Sequence, residues 1–340
     1  MTSKTIAVVG ATGQQGGAVA NHFHSLGWKV RGLTRNPKSD KSSALAARLP
    51  GIELVQADLD DKASLKTAFR GAHAIFTVTD FFEPFLANVA ELSAKGDRAA
   101  GEFAAAIEVR RGKNMADAAG ELLAEDSVLE RYIWSTLPPV SKISGGKYTY
   151  AFNYDSKAEI QDYIVSDLPQ LAVKASFLTV AIYTNMPIAI LMMGGAQFDA
   201  EGKLINAAPV SADAPQYFAD VSEIGKFVEA LVKAPAGKNM LGYNGRKSFA
   251  EVAGIVSGIT GVPGTVIPMT VEQMAASIPG VGKIFGTVAF WVDFGTETGS
   301  KLLTPQEVDP SIKLSTIEEA LGKEDWAQVA AVIKQSQESK

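Results

Sequence analysis

The chain of 340 residues contains no cysteine, which removes disulfides, thiolate metal sites and cysteine nucleophiles together. It also lacks any Asn-x-Ser/Thr sequon, and its first residues run almost directly into an apolar strand with nothing resembling a signal peptide. A reducing, cytoplasmic setting is the expectation. Long basic runs are missing as well. The net charge is -5 and the pI about 5.4, leaving little from which to build a nucleic-acid groove. Histidine is scarce: His22, His24 and His73 have no ligand-type neighbour at metal spacing, so no metal is expected. No Gly-x-Ser-x-Gly elbow occurs, and "SGGKY" lacks full phosphate-loop spacing, which sets aside those hydrolase and kinase-like chemistries. Charge is absent from one stretch, Ala175 to Phe198, long enough for the roughly 20 residues of a bilayer span. Thr179, Thr184, Asn185, Pro187 and the Gly194-Gly195 pair interrupt it. It is expected to be a buried strand over "FLTVAIY", a turn, and a short helix over "PIAILMM".

What is present is globular, at 46% hydrophobic and 20% charged. Short apolar runs alternate with helical patterns through the first half. "TIAVVG", "KVRGLTR", "IELVQAD", "AIFTVT", "RYIWSTL" and "AVKASFLTVA" read as strands. "GGAVANHFHSLG", "SSALAARLPG", "KASLKTAFRGA", a long region from about Phe85 to Ala124, and "DSKAEIQDYIVSD" read as helices. This alternation predicts βαβ units, hence an α/β fold with a doubly wound parallel sheet of the Rossmann kind. After Tyr183 turn signals multiply. Helices are expected over "VSEIGKFVEALVKA" with Ser222 as cap, over "FAEVAGIVSGITG", and over "TIEEALGKEDWAQVAAVIKQ". Ligands of such two-part molecules sit in the cleft between the parts.

"GATGQQGG" places Gly10, Gly13 and Gly16 between the first strand and first helix. Glycines there allow a tight turn, let backbone N–H groups approach a pyrophosphate, and aim the helix N-terminus at its charge. Thr12, Gln14 and Gln15 share that loop and helix start. A dinucleotide site that prefers NAD carries an acid at the end of the second strand. Here Thr34 and Arg35 stand there, with Lys38 close behind, and a guanidinium suits a 2′-phosphate. NADP(H) is therefore the expected cofactor, although Arg35 also reads as a solvated strand-end cation. Asp58, with Leu59, ends the third strand and either accepts from the adenine amino group or caps the next helix. Thr77, Val78 and Thr79 end the fourth strand beside the expected cofactor. Phe81 and Phe82 follow and either wall an apolar substrate or belong to the core.

These residues resemble the NmrA-like family of atypical short-chain dehydrogenase/reductases. The resemblance runs through "GATGQQGG", "VRGLTRNP", "VQADLDD", "AIFTVTDFFEP", "EVRRGKNMADAA", "YDSKAEIQDYI", "YTNM" and "EVAGIV", and so spans most of the chain. It implies NADP(H) preference and a smaller C-terminal domain closing a substrate cleft. The expected division is 1–182 with about 213–245 as the Rossmann domain, and about 183–212 with 246–340 as the substrate domain. The family holds both reductases and proteins that bind NADP(H) to regulate a partner. A lengthened segment between Pro84 and Glu108 departs from its pattern at the cleft rim. Lys157 matches the family's active-site lysine, which binds the nicotinamide ribose and whose charge lowers the pKa of a nearby acid. In the wider superfamily that acid is a tyrosine four residues earlier, where this chain has Asn153. Tyr154, Tyr150, Tyr148 and a water held by Asn153 and Ser135 are the remaining proton sources. Tyr183 and Asn185, in "YTNM", join Tyr148 as candidate substrate contacts. The expected function is reduction of an apolar carbonyl, enone or imine. The alternatives are a redox sensor without turnover and a cyclase or rearrangement catalyst in the same cleft. A small-molecule substrate is the expected partner, with no nucleic acid and no membrane, and room for a homodimer or a regulatory protein partner.

Overall fold

The computed structural model describes residues 3–125, 128–185, 196–208, 211–277, 281–295 and 301–338. A seven-stranded sheet organises it, in the order β3-β2-β1-β4-β5-β6-β11, and all neighbours run parallel. The strands are β1 (Thr5–Val9), β2 (Lys29–Thr34), β3 (Glu53–Gln56), β4 (Ala74–Thr77), β5 (Arg131–Thr136), β6 (Ala175–Val180) and β11 (Asn239–Gly242). Ile6, Ala7 and Val8 are wholly buried, as an apolar strand covered on both faces must be. One face carries α1 (Gln14–Ser25) and α9 (Ile224–Lys233), packed through Val19, Phe23, Phe227 and Leu231. The other carries α3 (Lys62–Phe69), α5 (Ala99–Leu123) and α7 (Phe152–Asp167), packed through Leu65, Met115, Trp134 and Ile160. Strand order reverses between β1 and β4, and at such a switch point the carboxyl ends open a crevice.

Several elements differ from expectation. The region from Phe85 to Ala124 is two helices, α4 (Phe82–Leu92) and α5, separated by a short 3-10 turn and by Gly96 at φ +133°. The last amphipathic stretch is also two helices, Ile317–Leu321 and Trp326–Glu338, the first opened by a capping box of Thr316 and Glu319. Ser222 is not the cap expected of it. It lies inside a 3-10 turn whose N–H is accepted by the Asp220 carboxylate. Two three-stranded sheets lie beyond Tyr183: β7 (Ile182–Tyr183) with β10 (Pro215–Ala219) and β12 (Gly245–Ser248), and β8 (Ala196–Phe198) with β9 (Leu204–Ala208) and β13 (Gly264–Pro268). Their strands are short, and β12, "GRKS", has no apolar alternation to betray it. The uncharged stretch begins with β6 and β7, as expected, while "PIAILMM" lies outside the described residues. Among the described residues no helix is long and apolar enough to cross a membrane.

Candidate functional site

The glycine loop leaves β1 through Gly10 at φ +65°, a left-handed turn closed by the Gly13 N–H donating to the Gly10 carbonyl at 2.8 Å. Gly13 is the N-cap of α1, and no side chain caps that helix. Its first N–H groups and the positive end of its dipole therefore face the crevice. A Cβ on Gly16 would lie 2.2 Å from the Gly10 carbonyl oxygen, so the helix can sit this close to the loop only with glycine there. At Gly13 the same distance is 3.3 Å, a tight but tolerable contact. Thr12 is half-buried and Gln14 exposed.

At the end of β2, Thr34 and Ser42 place their hydroxyls 3.4 Å apart. Arg35 is exposed, with Nη1 2.5 Å from Glu83 Oε1. Lys38 is also exposed, its backbone N–H donating to Asn36. Arg111 on α5 reaches both Glu83, at 3.4 Å, and Asp60, at 2.9 Å. That hydrogen bond from Arg111 holds the Asp60 carboxyl below its usual range, with Arg110 adding to the effect against the cost of burial. Asp61, rather than Asp58, caps α3 by accepting from the Ala63 and Ser64 N–H groups. Asp58 accepts only locally, from the Asp60 N–H at 2.9 Å, and the Leu59 carbonyl accepts from Asn114 at 2.8 Å.

Thr77 is buried and donates to the Ile133 carbonyl at 3.1 Å, while Val78 packs against the core under α1. Thr79 donates to Glu108 Oε1 at 2.6 Å, and Lys157 Nζ lies 2.5 Å from the same oxygen. Ser156 donates to the other oxygen. Glu108 is wholly buried and was not foreseen, because a glutamate in "EVRRGK" reads as a solvated helix charge. The missed signal is spacing. Ala100, Ala104, Glu108, Gly112 and Ala116 recur every four residues and all are buried on α5, so this one carboxylate shares a small-residue face. The Lys157 carbonyl accepts from Trp134 Nε1 and Thr136 Oγ1, at 3.2 and 3.3 Å, which pins α7 to β5.

The candidate hydroxyls sort themselves by partner. Ser135 donates to Gln15 Oε1 at 2.8 Å, and Gln15 Nε2 donates to the Tyr183 oxygen at 2.7 Å. Gln15, Ser135 and Tyr183 are thereby joined across the start of α1, the end of β5 and β7. Burial pushes the Tyr183 phenol up, against a smaller lowering by the Gln15 N–H. The other phenols bond elsewhere. Tyr148 donates to Asp293 at 2.5 Å, Tyr150 donates to Asp97 and lies 3.1 Å from Lys283 Nζ, and buried Tyr154 accepts from Trp291 Nε1 at 3.2 Å. Asn153 Oδ1 is buried without a hydrogen-bond partner among the described residues. Phe81 is 1% exposed, stacked on Phe85 with centroids 5.5 Å apart, and Phe82 meets both rings edge-on. Asn185 is half-buried just beyond β7. A groove of about 650 Å³ between α5 and α7 is lined by Ala105, Val109, Lys113, Phe152 and Glu159 among others, and no residue of the glycine loop lines it.

A parallel doubly wound sheet with an uncapped, glycine-opened helix at its switch point defines the class of dinucleotide-binding α/β proteins. Within that class the chain belongs to the NmrA-like family, whose model matches residues 2–318. It is similar to an NmrA-like family domain-containing oxidoreductase, cpsB, of Aspergillus campestris, at 27% identity over 76% of this chain and 74% of that protein. It is also similar to the oxidoreductase FrzB of Cladobotryum, at 25% identity over 94% and 92% of the two chains. Among solved structures it resembles NmrA, a negative transcriptional regulator crystallised with NADP, with TM-score 0.69 and 19% identity over 97% and 98% of the two chains.

Proposed function

We propose that this chain is an NADP(H)-dependent oxidoreductase that reduces an apolar carbonyl, enone or imine. The observation that carries the reading is the Ser135–Gln15–Tyr183 chain, which ties the phosphate-binding helix start to a half-buried phenol. The residues present suit the cofactor: Gly13 and Gly16 let backbone approach a pyrophosphate, the helix start is uncapped, and Arg35 offers a fork to a 2′-phosphate. Thr77, Val78 and Thr79, with Asp58, would line the nucleotide from β4 and β3. When bound, the reduced nicotinamide supplies a hydride to the electrophilic carbon of the substrate.

The protein's part is binding, orientation and the proton. Lys157, fixed by Glu108 and by the α7–β5 contacts, would donate to the nicotinamide ribose hydroxyls. Gln15 donates to the Tyr183 oxygen, so the phenol's own hydrogen is not used in that contact. It is available to the substrate oxygen or nitrogen as negative charge develops there. A phenol is protonated at neutral pH, and burial raises the pKa of this one further. The phenolate left behind keeps the Gln15 N–H and is reprotonated by water. Asn153 without a phenol in the superfamily's position favours a second reading, in which the protein holds the dinucleotide and signals its occupancy to a protein partner. The cysteine-free composition suits a cytoplasmic location for either.

Purified protein with NADPH, assayed against apolar ketones, enones and imines by loss of reduced cofactor, decides between them. The native chain should turn over at least one. Tyr183→Phe should lower kcat by about 100-fold with NADPH affinity within about threefold of native, and Lys157→Met should lose more turnover than affinity. No turnover of any substrate, together with NADPH-dependent binding of a purified protein partner, would establish the sensor instead.

A further inference from the structure

We propose that Glu83 is a built-in competitor for the cofactor's 2′-phosphate, and that it narrows this protein's discrimination between NADPH and NADH. The proposal rests on the reading above, in which the adenosine end lies over Arg35. Glu83 spans two guanidinium groups, one oxygen to each: Oε1 is 2.5 Å from Arg35 Nη1 and Oε2 is 3.4 Å from Arg111 Nη1. An anion between two arginines at the end of β2 occupies the position a phosphate dianion would take, with the same donors.

Glu83 is not held there by Arg35 alone. Asp80 accepts from the Phe82 and Glu83 N–H groups, at 2.9 and 3.2 Å, and so fixes the first turn of α4 that carries it. If Arg35 swings to a phosphate, the fixed turn keeps Glu83 at the same place on the rim, with Arg111 as the partner left to its carboxylate. Arg111 offers limited relief, because Asp60 already takes its Nε and Nη2 at 3.1 and 2.9 Å and takes Arg110 as well. A ribose with a free 2′-hydroxyl makes no claim on Arg35, leaves the Arg35–Glu83 pair intact, and meets a carboxylate able to accept from it. Glu83 therefore penalises the phosphorylated cofactor selectively.

The test is equilibrium binding of NADPH, NADH, 2′,5′-ADP and 5′-AMP to the native chain and to Glu83→Gln, Arg35→Ala and the double variant, with thermal melts as a control on folding. Glu83→Gln should tighten NADPH and 2′,5′-ADP by about two- to fivefold, the scale of one exposed ion pair, and change NADH and 5′-AMP by less than about 1.5-fold. Arg35→Ala should remove the preference in both backgrounds. An unchanged or reduced NADPH preference in Glu83→Gln, with Arg35→Ala still effective, would show that Glu83 merely orients Arg35, and the proposal would fall alone. If Arg35→Ala leaves the preference untouched, or no ligand binds, the adenosine reading falls with it.

Discussion

Two opposing influences meet on the hydroxyl of Tyr183, burial raising its pKa and the Gln15 N–H lowering it, with burial the larger. In the proposed reduction the phenol must be protonated, so activity should be full below its pKa and lost as pH rises through it. Because that value lies above the ordinary phenol value of about 10, kcat at saturating NADPH should stay level from neutral pH to about 9 and fall only beyond. Tyr183→Phe should abolish the alkaline fall along with most of the rate; an unaltered pH profile in that variant would assign the proton to another group. Gly10 and Gly16 were legible because a left-handed backbone at one and a backbone contact at the other leave only glycine possible. Glu108 was not, because its meaning comes from Thr79 and Lys157, distant in sequence; Tyr183 was legible as a substrate contact, but its link to Gln15 and Ser135 was not, for the same reason. Closeness to Lys157 along the chain points to Tyr148, Tyr150 or Tyr154, or else to a water held by Asn153 and Ser135, as the proton source. Tyr148 and Tyr150 spend their hydrogens on Asp293 and Asp97, whereas Tyr154 accepts from Trp291 and, like Tyr183, keeps its own.

Among elements, the β1–α1 unit separates two demands that the same glycine spacing conceals. Gly16 is required by packing, since its Cβ would press on backbone 2.2 Å away, whereas Gly13 has 3.3 Å of room. Gly16→Ala should cost about 3 kcal/mol of stability, the upper end of overpacking a core, and lose cofactor binding as a consequence. Gly13→Ala should keep its stability within about 1 kcal/mol and still weaken NADPH about tenfold or more, because its methyl stands where the pyrophosphate approaches. Denaturant melts and titrations of the two variants separate these effects; equal loss of stability in both would refute the distinction. Strands and helices of the parallel sheet were readable from apolar runs covered on both faces. The two small sheets were not, since a two-residue strand such as β7 and a polar one such as β12 carry no periodicity.

For the whole molecule, the C-terminal segment is fastened to the main sheet through Glu223, whose carboxylate accepts from Lys226, Asn244 and both the N–H and hydroxyl of Ser315. Burial alone would raise its pKa, but these donors outweigh it and hold the carboxyl below 4.5. A carboxyl lowered in the folded state contributes stability that is complete above the unfolded value and disappears as pH falls through the folded one. Glu223→Gln should therefore cost about 1.5–3 kcal/mol at pH 7, and the gap from native should close as pH drops below about 4.5. Melts of both proteins from pH 7 to 3 test this; a gap constant with pH would mean that packing, not charge, is responsible. The junction between β6 and β7 has a different kind of consequence. Only Ala181 separates a strand of the large sheet from one of the small sheet, and Tyr183 stands at the far end of that step. Gln15 is thereby tied through one hydrogen bond to β7 and, through its pairing, to β10, which gives the phenol the position of a lever arm. Were nucleotide binding to shift that contact, free energy would pass equally both ways along it, and a ligand gripping the small sheet would alter the grip on the nucleotide by the same factor.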